Sequence, residues 1–159
     1  DTLRPLRKRL IAEIGDQARI LDTLPPPYPI AEHNQALETI LQQADLSIHL
    51  LDQWPGRIID DLEEEQTYPR LQAETASRQP IPSLIWVPDN LADEAIEDEQ
   101  QAAWLRDLEQ GERAGSRFQF VRSSQQALMD KINQTADYNS EIEQALHEAL
   151  KDFKASHTW

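Results

Sequence analysis

The stretch that decides the reading of this chain is Asp45-Leu-Ser-Ile-His-Leu-Leu51, followed after a loop and a short helix by Ser83-Leu-Ile-Trp-Val87. Two short runs rich in leucine and β-branched residues, separated by a helix-length crossover, predict neighbouring parallel strands of an α/β sheet. Ligand sites in such sheets lie beyond the carboxyl ends of the strands. Attention therefore falls on the loop from Asp52 to Thr67, which gathers Trp54, a Pro55-Gly56 turn and six acidic side chains.

Working outward, Leu6, Leu10, Ile11 and Ile14 recur at three- and four-residue steps and predict a helix with one face on a core, ended by Gly15-Asp16. Arg4, Arg7, Lys8 and Arg9 fill much of its remaining surface, as a solvated outer face would. Residues 18–21, Ala-Arg-Ile-Leu, are β-compatible and are expected to form a short strand. Thr23-Leu-Pro-Pro-Pro-Tyr-Pro29 then forces an extended connector. Ala36, Leu37, Ile40, Leu41 and Ala44 predict a helix that feeds the first strand.

Past the acidic loop, Thr67 is a candidate cap for a helix that accepts Pro69 in its first turn and runs to about Gln79. On its wheel Tyr68, Leu71, Gln72, Thr75 and Ala76 share one face, and Arg70, Glu74 and Arg78, each four positions from the next, form a ladder of opposite charges on the other. Asp89 to Glu99 reads as a loose acidic loop that tightens into a helix through Ala102, Trp104, Leu105 and Leu108. The alternation in Arg117-Phe-Gln-Phe-Val-Arg122 predicts a further half-buried strand. Ser124 opens a helix carrying Ala127, Leu128 and Ile132, and Ser140-Glu-Ile-Glu143 matches a capping box that starts a terminal helix over 140–155. Together these elements predict a three-layer, flavodoxin-like α/β fold with a parallel sheet flanked by helices, in one domain over 1–159. Such a sheet normally opens with a central strand, and none precedes Thr2, so a first strand is expected to be absent from this stretch of chain or replaced.

Composition narrows the chemistry. Twenty-nine acidic residues against 15 basic ones give a net charge of −14, which repels nucleic-acid phosphates and anionic membranes as partners. No run approaches the roughly 20 apolar residues of a membrane span. The absence of cysteine excludes disulfides and thiolate metal sites and agrees with a cytoplasmic location. His33, His49, His147 and His157 fall in separate elements, without metal-ligand spacing, so no metal is expected; His49, between Ile48 and Leu50, reads as a packed or hydrogen-bonded residue. With four glycines, neither a dinucleotide fingerprint nor a P-loop can be written, and no serine has the flanking glycines of a nucleophile elbow. What remains is a carboxylate-rich loop beside an aromatic platform, a combination suited to stabilising oxocarbenium charge as an N-glycosidic bond breaks. A solvated acidic surface loop would have the same composition.

The run Ala44-Asp-Leu-Ser-Ile-His-Leu-Leu51, then Trp54-Pro-Gly56, then Tyr68-Pro-Arg-Leu-Gln-Ala-Glu-Thr-Ala76, then Pro82-Ser-Leu-Ile-Trp-Val-Pro88 resembles bacterial TIR-like domains. It is most similar to the divergent modules at the front of large defence or conflict proteins, and the likeness extends over about Leu3 to Ala136. The resemblance implies a signalling or effector domain that works by self-association or by contacts with other regions of a longer protein, and it implies NAD as a possible substrate rather than a bound cofactor. TIR enzymes carry a glutamate four residues before a small residue on the corresponding helix. Counting back from Ala76, this chain has Gln72 there, and glutamine cannot supply the anion. The alternative is an NAD glycohydrolase with a displaced carboxylate: Glu65 lies seven residues before Gln72, about two turns if the helix extends that far. In that alternative Glu65 and Gln72 are the catalytic candidates, and Tyr28, Asp52 and Trp54 would line the nucleotide site.

Overall fold

A computed structural model of the chain describes residues 3–15, 18–21, 29–60, 62–111 and 118–135. It divides into two compact units, 1–124 and 125–159. In the first, helices α1 (Arg4–Ile14) and α2 (Ile30–Gln43) lead into strand β1 (Ser47–Leu50). Helix α3 (Tyr68–Ser77), strand β2 (Ser83–Pro88), a 3-10 turn (Asp93–Ala95), helix α4 (Glu99–Gln110) and strand β3 (Phe118–Ser123) follow. The strands form a three-stranded sheet in the order β1-β2-β3, parallel throughout, with Ser47 opposite Ser83 and Ser83 opposite Phe118. The chain is thus α/β with a parallel sheet flanked by helices, consistent with a flavodoxin-like fold. In the second unit, residues 125–135 are helical and bury Leu128, Met129 and Ile132. The expected helix over 140–155 lies outside the described residues.

β2 is central, and its sequence says why. Ser83 to Val87 are all buried, so side chains on both faces of the strand are covered, as a parallel strand between helical layers requires. Ile85 and Val87 join Leu51 of the first strand's exit, Ala73 of α3, Ile96 after the 3-10 turn and Leu105 of α4 in one core cluster. A second cluster joins Leu37 and Leu41 of α2 to Ala76 of α3. At the amino ends of β1 and β2 the paired Ser47 and Ser83 hydroxyls lie 2.7 Å apart, and His49 Nε2 is 3.2 Å from Ser47 Oγ. Burial pushes the His49 pKa down to about 4, so its imidazole is neutral at physiological pH and serves the hydrogen-bonded role expected of it.

Two local expectations differ from the structure, the strand over 18–21 and the charge ladder on α3. Residues 18–21 contain no strand. Four β-compatible residues have too little apolar surface to hold a place in a sheet without a partner strand. α3 turns Ala73 and Ala76 into the core while Leu71 stays at its margin, because methyl groups let the helix approach both the strands and α2 closely. The ladder on the opposite side of α3 is replaced by longer-range partners. The Arg70 guanidinium lies over the Trp104 ring, 5.2 Å from its centroid, and Glu74 Oε2 accepts from Gln66 Nε2 at 3.2 Å.

Among the described residues no helix is long and apolar enough to cross a membrane.

Candidate functional site

The described residues of the loop after β1 are held by a set of hydrogen bonds and a bridge. The Leu51 amide donates to Trp86 O at 2.9 Å, carrying the pairing with β2 one residue beyond the end of β1. Buried Gln101 of α4 then donates from Nε2 to Asp52 O at 2.9 Å, and Asp52 Oδ1 accepts the Trp54 amide at 2.9 Å in an Asx turn. Gly56 adopts a φ of +83°, and a Cβ there would stand 2.6 Å from Pro69 Cγ, so only glycine lets the turn settle against the start of α3. An antiparallel bridge between Ile58 and Thr67 closes the loop, with the Ile59 amide donating to Gln66 O at 2.8 Å and the Tyr68 amide to Arg57 O at 3.0 Å. Ile59 is buried and anchors the ladder.

What this scaffold displays is a mixture of apolar and acidic side chains. Trp54 is 56% exposed, Ile58 46% and Leu62 41%; these are the exposed large apolar residues among the described ones, and all three belong to this loop. Asp60, Glu63, Glu64 and Glu65 are exposed beside them. A folded chain leaves three large apolar groups in water on a fixed backbone at a cost of roughly 25 cal/mol per Å² of apolar area, which a contact would recover.

The two catalytic candidates lie on different elements, Glu65 on the loop and Gln72 on α3. α3 begins at Tyr68, with Thr67 at its N-cap and Pro69 in its first turn. Glu65 therefore precedes the helix and points into solvent, not two turns along a continuous face. Gln72 is half-buried and faces α2, where its Nε2 lies 3.4 Å from His33 Nε2. His33 is 2% exposed and meets the Tyr68 ring edge-on at 4.9 Å. Burial lowers its pKa, Gln72 Nε2 as an amide nitrogen can only donate to the ring, and His33 Nδ1 is buried without a partner among the described residues. Asp52 and Trp54 are joined to each other at the exit of β1. Tyr28 lies outside the described residues.

Two residues at this end of the molecule carry more than their sequence signal suggests. Gln101 anchors the loop and is 1% exposed, and His33 is the buried neighbour of Gln72. Both depend on partners 49 and 39 positions away. On the sequence, a glutamine in an acidic helix and one of four scattered histidines carry no local mark. Arg122, at the carboxyl end of β3, ties the loop after β2 to α4 by donating to Leu91 O at 2.7 Å and pairing with Glu109 at 3.2 Å. No group of His, Cys, Asp and Glu suited to a metal ion occurs among the described residues.

No family model matches the chain, and no solved structure matches it. Segments of it are similar to parts of curated bacterial proteins. Over 40 residues, 25% of this chain and 8% of the relative, it is 52% identical to ATP synthase subunit alpha of Alcanivorax borkumensis. Over 36 residues, 23% of this chain and 7% of the relative, it is 58% identical to ATP synthase subunit alpha 2 of Vibrio campbellii. Over 68 residues, 43% of this chain and 12% of the relative, it is 35% identical to ATP synthase subunit alpha 1 of Methylococcus capsulatus. The chain therefore spans about a tenth of the length of the curated relatives it matches.

Proposed function

We propose that this chain is a TIR-like signalling or effector module of a bacterial defence-type protein, acting in the cytoplasm through self-association or contacts with other regions of a longer protein. One observation carries the reading: the loop beyond β1 is pinned by its own bridge, by Gln101 and by Gly56 against Pro69, yet it holds Trp54, Ile58 and Leu62 out in solvent. A stiff backbone that presents apolar side chains is prepared for a protein contact, because little ordering entropy remains to be lost on binding.

The chemistry around Gln72 supports the same choice over NAD cleavage. Gln72 cannot provide an anion, its side-chain nitrogen lies against the His33 ring, and Glu65 is on the exposed loop before the helix. The short matches to ATP synthase subunit alpha add no nucleotide chemistry to the reading, since four glycines without a Gly-Lys-Ser/Thr sequence leave no phosphate-cradling loop. Size-exclusion chromatography with light scattering tests the proposal. A mass that rises above the 18.3 kDa monomer with concentration supports it, and a constant monomer mass, alone and within the longer protein, defeats it.

A further inference from the structure

We infer that the loop after β1 docks onto the basic face of α1 in a second copy of this chain, an inference that rests on the self-association proposed above and names its two surfaces. The loop side offers Trp54, Ile58 and Leu62 among exposed carboxylates. The complementary surface is on the same sequence. Arg4, Arg7 and Lys8 sit three and four positions apart along α1, next to half-buried Ile11, so they form one stripe on a flank that the buried residues Leu6, Leu10 and Ile14 do not use.

Charge makes this stripe distinctive. In a chain of net charge −14, it is a concentrated positive surface, four of the 15 basic residues falling within Arg4–Arg9. Arg9 is taken by Glu13 on the same helix at 2.8 Å, whereas Arg4, Arg7 and Lys8 have no acidic partner among the described residues. Both surfaces are exposed in one copy, so neither covers the other within a single molecule. A second copy supplies each with its complement: the arginine and lysine stems lie over the indole and aliphatic groups while their cationic ends meet the loop carboxylates. The two patches differ, so the contact is heterologous, and assembly proceeds either as a closed ring or as an open chain.

A charge-exchange experiment on the full chain tests the pairing. One variant carries Arg4→Glu, Arg7→Glu and Lys8→Glu; the other carries Asp60→Lys, Glu63→Lys and Glu64→Lys. All six positions are exposed, so circular dichroism and thermal unfolding are expected to match the unmodified protein. By light scattering each variant alone loses association by about tenfold or more, because like charges now face each other. Mixing the two variants in equal amounts restores it. Variants that assemble as well as the unmodified chain would overturn the assigned surfaces while leaving self-association standing. Variants that are each weakened but do not associate when mixed would overturn the pairing of α1 with the loop. A strictly monomeric unmodified protein would overturn both this inference and the function it rests on.

Discussion

β2 and the loop that follows β1 contain apolar residues of similar size and meet opposite fates. In β2, Leu84, Ile85, Trp86 and Val87 are buried in sequence, each covered by neighbouring strands or helices. In the loop, Trp54, Ile58 and Leu62 stay in solvent although Ile59, one residue from Ile58, is buried. Hydrophobicity alone does not separate the two regions. Backbone pairing does: β2 is bonded on both sides, whereas the loop is bent away by an Asx turn, a positive-φ glycine and a single bridge that turns alternate residues outward.

The strongest break of this contrast comes from the strand. Trp86→Ala removes a buried indole whose Nε1 donates to Ser123 Oγ at 3.2 Å, and the expected loss is about 4 kcal/mol of unfolding free energy in a urea titration. Acid gives the next largest effect. The folded pKa of His49, about 4, lies below its ordinary value of 6.5, so the unfolded chain binds the extra proton between those values. Stability from this group is therefore complete above pH 6.5 and falls as pH drops toward 4, by up to about 3 kcal/mol. Comparing urea titrations of the native chain and His49→Gln at pH 7 and pH 5 isolates the effect, and the variant is expected to lose less on acidification.

Smaller changes sharpen the comparison from the loop side. Gly56→Ala places a Cβ against Pro69 and an L side chain at φ +83°, with an expected cost of about 1–2 kcal/mol in the same titration. Trp54→Ser removes an exposed ring, so its unfolding free energy is expected to stay within about 0.5 kcal/mol of the native value while the light-scattering mass falls toward the monomer. Incubation with NAD is expected to release no nicotinamide, and Glu65→Gln is expected to change nothing, since that carboxylate is exposed on the loop before α3.

The sheet was legible in the sequence because β2 is an uninterrupted apolar run and β1 ends at a polar loop after a helix-length interval. The helix through Ala102, Trp104, Leu105 and Leu108 was also open to reading, but its cap was not: Asp98, whose side chain accepts the Gln101 amide at 2.8 Å, fell inside the stretch read as a loose acidic loop. On α3 the wheel grouped Tyr68, Gln72 and Ala76, which the structure turns toward α2, but it did not mark Ala73, whose methyl group packs under the strands. Arg70 was assigned to its neighbours four positions away, whereas Trp104 draws it across the fold. Spacing puts Glu65 and Gln72 on one face only if the helix extends back past Pro69, and α3 starts at Tyr68. His33 and Gln101 acquire their roles only when distant segments meet.

Hydrogen exchange measured in dilute and concentrated protein reads the central claim, that the loop beyond β1 is a contact surface rather than a reaction site. The expected result is added amide protection over residues 53–65 at high concentration, with the amides of β2 unchanged. Equal exchange of that loop at both concentrations, in a sample shown by scattering to be assembled, would contradict it.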